Sequence, residues 1–136
     1  MLDRLTPAGE KGASLLEEAY VLWLTTVRPN GQPQSSPVWF VMEDDEFLIY
    51  SLEGTARTSN VKSNPRVSLN LDSKAGTDVV AVEGTARVVE GPPSTEHTSY
   101  QDKYSEGIRR IGHTPESFAE QYSVVLRITP TRWRIH

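Results

Sequence analysis

Cysteine is absent from all 136 residues. That excludes disulfides, thiolate catalysis and cysteine-based zinc or iron–sulfur sites. Long apolar runs are absent as well: no stretch approaches the roughly 18 residues of a membrane span, and Met1 to Gly12 carries no apolar signal-peptide core. The expectation is a soluble cytoplasmic protein that binds neither nucleic acid nor membrane. A strong positive balance is missing too. With a formal net charge of -4, binding a polyanion would require a local basic cluster. Walker A and G-x-G-x-x-G loops, a G-x-S-x-G elbow around Ser35-Ser36, internal repeats and low-complexity segments are not found. The three histidines, His97, His113 and His136, are too widely spaced to form a metal site and fit surface, cap or terminal positions. Glu43 to Glu46 reads as a solvated turn.

What is present fits one domain spanning residues 1–136, since a chain of this length and 37 % hydrophobic content is enough for one compact core. Glu10 to Ala19 has the spacing of a short amphipathic helix. Tyr20 to Val27 and Gln34 to Met42 are strand-like, and Asn30-Gly31 between them signals a hairpin. A second turn at Glu43 to Glu46 leads into the strand Phe47 to Ser51. A short helix, Thr55 to Asn64, is N-capped by Thr55 and closed by Pro65. Strands resume at Val67 to Leu71 and Asp78 to Val89, where Gly84 marks a bulge or bend. Ser94 to Ile111 is helical by its Tyr100, Tyr104, Ile108 and Ile111 spacing, and Thr114-Pro115-Glu116 starts another helix. Ser123 to Ile128 and Arg132 to Ile135 form a closing strand pair with Pro130 at its corner. Antiparallel strands without βαβ alternation indicate a small barrel with helices at its rim.

One stretch combines chemistry with position. In Glu53 to Pro65 (EGTARTSNVKSNP), the start of a helix supplies unpaired N–H donors, while Thr55, Arg57, Thr58 and Ser59 add side-chain donors, a set suited to phosphate. Local chemistry fits a capped surface helix with solvated Arg57 and Lys62 equally well. Trp39, beside Pro37, fits a core aromatic or an interrupted strand lining a cleft. Trp23 and Trp133 fit the core or an interface, and Trp133 is also kept as a cofactor contact.

The run Leu24-Thr25-Thr26-Val27, Asn30-Gly31-Gln32-Pro33, Pro37-Val38-Trp39-Phe40, Tyr50-Ser51, Arg57 and Asn64-Pro65-Arg66-Val67-Ser68-Leu69 resembles the pyridoxamine 5′-phosphate oxidase-like split barrels. Val82 to Val88 resembles that family's next long strand. Within the family the chain is most similar to the actinobacterial branch of coenzyme F420-dependent enzymes. The resemblance implies a six-stranded antiparallel split β-barrel with short flanking helices, forming a homodimer with a flavin-like cofactor in each of two interfacial clefts. It implies that Gln34, Ser36, Pro37, Val38 and Trp39 lie along the tricyclic ring, that Tyr50 and Ser51 approach the ring or its ribityl chain, and that Arg57 holds the phosphate. Lys62 is assigned to the acidic tail of F420, or else to a solvated position. The FMN oxidases of the family have an arginine where this chain has Ser36 and a second basic residue where it has Ala56. Both departures favour F420 over FMN. The function implied is an F420-dependent oxidoreductase moving hydride between the deazaflavin and a small organic substrate. The alternatives are an FMN-binding oxidoreductase, a non-catalytic F420 or flavin carrier, and a ligand-free interaction module. No catalytic residue and no metal ligand is assigned. Tyr50 or solvent would supply a proton, and Tyr100, Tyr104 and Trp133 are candidates to close the cleft.

Overall fold

A computed structural model describes residues 2–136. The chain runs α1 (Pro7–Glu18), β1 (Leu22–Val27), β2 (Pro33–Val38), β3 (Val41–Glu43), β4 (Glu46–Ser51), α2 (Ala56–Ser63), β5 (Arg66–Asn70), β6 (Val80–Val89), α3 (Thr98–Arg110), α4 (Pro115–Gln121) and β7 (Val124–Ile135), with a 3-10 turn at Ser94–Glu96 before α3. The strands form one antiparallel sheet of order β2-β1-β5-β6-β7-β4-β3, curled into a half-barrel. Among the described residues, no helix is long and apolar enough to cross a membrane.

The sheet has seven strands where the resemblance implies six; the run Gln34 to Met42 breaks at Trp39 and Phe40 into two of them. The break has a definite cause. The Phe40 N–H donates to the Tyr104 hydroxyl at 2.8 Å, and the Phe40 carbonyl accepts from that hydroxyl at 2.9 Å and from Lys103 Nζ at 2.9 Å. Side chains of α3 thus occupy the backbone groups that a continuing ladder would use. The expected closing strand pair is instead the single strand β7, paired with β6 along its whole length. Glu83 faces Arg132 and Gly84 faces Pro130, so Thr131 is the extra residue of a bulge. Gly84 is required there, because a Cβ would lie 2.8 Å from the Thr129 carbonyl oxygen.

The turns follow their residues. After a Gly31 N–H to Arg28 carbonyl bond, Gly31 takes a left-handed φ of 89°, and Asp44 and Asp45 are both left-handed, as a two-residue hairpin turn requires. Thr114 caps α4 in a reciprocal box with Ser117. His97 caps α3, with its Nδ1 accepting from the Tyr100 N–H.

Two apolar clusters result. One fills the curl of the sheet with Leu24, Phe40, Phe47, Ile49, Leu69 and Leu126 among its members. The other lies where β3, β4 and β7 meet α3 and α4, with Leu48, Tyr50, Tyr100, Tyr104, Ile108 and Phe118. Successive residues of β4 therefore serve opposite cores, and all five from Phe47 to Ser51 are buried. The turn Glu43 to Glu46 is not simply solvated as expected. Glu43 pairs with His97 and Arg127, while Glu46 pairs with Arg87 and Arg127, tying the β3–β4 hairpin to β6, β7 and the start of α3.

Candidate functional site

The ends of β2 and β4, the start of α2 and the pair α3–α4 enclose a cleft of about 300 Å³. Pro37, Val38, Trp39, Tyr50, Ser51 and Leu52 line its barrel side. Tyr100, Ile111, Phe118 and Tyr122 line its helical side, and Val21 and Arg57 complete it. The sheet forms this cleft because Trp39 leaves the ladder. Its ring stacks on Tyr104 at 4.7 Å and 9° between planes, and on Phe118 at 5.7 Å. Gly107 of α3 permits that approach, since a Cβ there would come 3.0 Å from the Trp39 ring.

A smaller hollow of about 130 Å³ is lined by Thr26, Gln34, Ser35, Ser36, Thr55, Ala56 and Arg57. Arg57 borders both spaces. It is half-buried, its Nη1 donates to Ser36 Oγ at 3.3 Å, and no carboxylate pairs with it among the described residues. Burial lowers its pKa below the usual arginine value, yet guanidinium remains cationic in proteins. Thr55 stands at the N-cap position as expected, but its side chain does not cap α2. It donates to the Leu52 carbonyl and is bonded to the Thr58 hydroxyl instead. The N–H groups of the first turn of α2 therefore have no cap beside an unpaired cation, a combination that attracts an anion.

Eight of the ten residues singled out in the sequence meet at these two spaces: Gln34, Ser36 and Arg57 at the hollow, with Pro37, Val38, Trp39, Tyr50, Ser51 and again Arg57 at the cleft. Two stand apart. Lys62 is exposed in the last turn of α2. Trp133 packs on Phe47 and lines cavities beneath α1 with Leu2. Of the proposed closing residues, Tyr100 lines the cleft and Tyr104 supports it from behind Trp39.

Sequence reasoning missed Asn60, which is 4 % exposed and donates to Thr26 Oγ1 at 3.0 Å and to Gln34 Oε1 at 3.1 Å, fixing the wall of the hollow. An asparagine inside a short helix, where its propensity is poor, was the available signal. Ile111, Phe118 and Tyr122 were missed as cleft residues because nothing local distinguishes them from core. Tyr50 is less suited to proton transfer than its position indicates. Its hydroxyl donates to the Pro92 carbonyl at 3.3 Å, and burial, then the nearby Glu43 charge, raises its pKa above the usual 10.

The arrangement can hold a flat ligand that carries an anionic group: an aromatic-walled slot and a smaller hollow share Arg57 in their walls. Residues 8–136 match the family described as pyridoxamine 5′-phosphate oxidase. The fold is similar to an F420 reductase (24 % identity, 89 % of this chain and 94 % of that one, TM-score 0.71). It is also similar to General Stress Protein 26 from Bacillus anthracis (22 %, 93 % and 97 %, 0.68) and to the heme storage protein HutZ from Vibrio cholerae (16 %, 96 % and 95 %, 0.68). With nearly the whole length matched by one family and a site built from the residues that first indicated it, the chain belongs to the pyridoxamine 5′-phosphate oxidase family.

Proposed function

We propose that this protein is a cytoplasmic, homodimeric oxidoreductase that uses coenzyme F420. The observation that carries the reading is Arg57, a half-buried and unpaired cation where an aromatic cleft meets an uncapped helix start. Arg57, the first-turn N–H groups of α2 and the Ser36 hydroxyl would hold the phosphate, and Pro37, Val38 and Trp39 would flank the ring. When bound, the deazaflavin supplies hydride transfer. The chain then orients that ring, and the apolar walls Val38, Ile111, Phe118 and Tyr122 keep water from it. A single cation at the hollow, with Ala56 beside it, favours F420 over FMN. Lys62, exposed on the same helix, is in reach of solvent to meet an extended acidic tail.

A carrier that binds F420 or a flavin without turnover is the second reading. It is favoured by the lining of the cleft, which contains no histidine or carboxylate and only the engaged Tyr50 hydroxyl of the expected proton sources.

Titration of the purified protein with F420 and with FMN tests the first reading. The expected result is tighter binding of F420, weakened by Arg57→Ala by about 1.5–3 kcal/mol, the range of a charge-assisted contact. FMN binding at micromolar affinity without F420 binding would overturn it. Turnover of the reduced cofactor with quinone and enone acceptors separates enzyme from carrier.

A further inference from the structure

Asn60 lies one helical turn beyond Arg57, on the same face of α2. Its amide nitrogen donates to Thr26 Oγ1 at 3.0 Å and to Gln34 Oε1 at 3.1 Å, and the residue is buried. The sheet holds both acceptors in place, because Thr26 of β1 and Gln34 of β2 stand directly opposite each other in the ladder. Arg57 reaches the same strand two residues on, at Ser36, which shares a face of β2 with Gln34. Two rungs therefore join α2 to β2: Asn60 to Gln34, and Arg57 to Ser36. Among the described residues, no other side chain of α2 is hydrogen-bonded to the sheet.

The two rungs are unequal. The Arg57 contact is single, long at 3.3 Å and made to a neutral hydroxyl, which is little to set against the rotamer freedom of a long cationic side chain. The Asn60 contacts are two, buried and directed to two different strands, so they fix the helix both along and across the β1–β2 pair. Packing alone does not call for an amide here. Val61, the next residue, joins the apolar core without one, and burying an amide is costly unless it is hydrogen-bonded. Once satisfied, a buried polar network specifies one arrangement of the groups around it. We propose that Asn60 is a positioning residue for anion binding: by pinning α2 to Thr26 and Gln34 it holds the Arg57 guanidinium at the border of the cleft and the hollow, without touching the ligand itself. The inference rests on the anion-site reading above and adds to it a residue that lines neither space. A guanidinium fork engages phosphate in a narrow range of directions, so its affinity depends on how the helix beneath it is held.

A double-mutant cycle separates positioning from plain support of the fold. Inorganic phosphate, FMN and F420 are titrated into the parent protein, Asn60→Ala, Arg57→Ala and the double variant. Asn60→Ala should weaken whichever of these probes the parent binds by about threefold to tenfold, and should cost about twofold at most once Arg57 is already alanine. Val61→Ala is the control for stability. It leaves a cavity beneath the same helix and lowers the melting temperature, yet affinity stays at the parent value. Should Asn60→Ala fold too poorly to titrate, Thr26→Val removes one of its two acceptors at nearly constant volume and takes its place in the cycle. If the parent binds none of the three probes, the anion-site reading fails and the proposal with it. If the parent binds but the Asn60 and Arg57 losses simply add, or if Val61→Ala weakens binding as much as Asn60→Ala does, the Asn60 assignment is overturned while the anion site stands.

Discussion

Arg57 and Lys103 are both half-buried cations without a carboxylate partner, and they show what neighbours do to a charge. Lys103 Nζ donates to the Phe40 carbonyl and lies 4.0 Å from the Phe40 ring centroid, so its environment is already filled by the protein. Arg57 has one long bond to Ser36 and two open spaces beside it. Only the second is arranged to receive something. For Lys103, burial pushes the amine down to about 8 from 10.5. The folded state therefore releases this proton before the unfolded state does, and the contribution of Lys103 to stability rises between about pH 8 and pH 10.5. A 13C titration of the lysine side chains should show one Cε resonance with a midpoint near 8 that is missing in Lys103→Met. At the hollow, Ala56→Lys would place a second cation at the first turn of α2. Phosphate-bearing ligands should gain about 0.3–1 kcal/mol of affinity, the scale of an exposed charge at a helix N-terminus, with the gain fading as salt is raised. Titrations with FMN at low and high ionic strength check both parts.

At the level of elements, the β3–β4 hairpin depends on charge as well as on its turn. Hydrogen bonds from Arg87, then from Thr129, hold the Glu46 carboxyl at about 2 against an ordinary 4.5. A depressed carboxylate stabilises the fold above its unfolded pKa and loses that contribution as pH falls through the folded value. Stability should therefore decline between about pH 4.5 and pH 2, and Glu46→Gln should flatten that decline while lowering stability at pH 7 by about 0.5–1 kcal/mol, the range for solvent-screened pairs. Urea unfolding at several pH values gives both. These partners also show where reading the sequence stops. Elements set by local rules were legible: the turn after Val27, the cap and proline of α4, the bulge at Gly84 and the closure of α2 by Pro65. The break at Trp39–Phe40 was legible only as one of two readings of Trp39, because its cause is Tyr104 and Lys103, more than sixty positions downstream. The continuity of β7 through Pro130 was obscured for a similar reason. The strand survives only because Gly84, on another strand, accommodates the bulge.

At the scale of the whole molecule, one face of the sheet remains to be accounted for. Direct pairing places Trp23, Asn70, Ala81 and Arg134 in one row and Thr25, Ser68, Glu83 and Arg132 in the next, all on the side away from the buried residues Leu24, Leu69 and Val82. Trp23 is 36 % exposed there, and a groove of about 390 Å³ lies between β5, β6 and β7. A two-fold dimer requires a patch complementary to itself, so that each acidic group can meet a basic one from the partner. Glu83 with Arg132 and Arg134 meets that condition, and Trp23 supplies the apolar contact that interfaces favour. The homodimer we propose would be built on this face. A charge opposite a charge on a strand is ordinary surface chemistry, which is why its sequence alone did not mark these residues. Trp23→Glu should convert a dimer to a monomer in light scattering at micromolar concentration, with the far-ultraviolet circular dichroism retained, because Trp23 is not part of either core. Arg132→Glu alone should weaken the dimer, and the charge-swapped pair Glu83→Arg with Arg132→Glu should recover part of that loss if the two groups meet across the two-fold axis. A parent protein that is monomeric at these concentrations, or a Trp23→Glu variant that stays dimeric, would rule out this face as the interface.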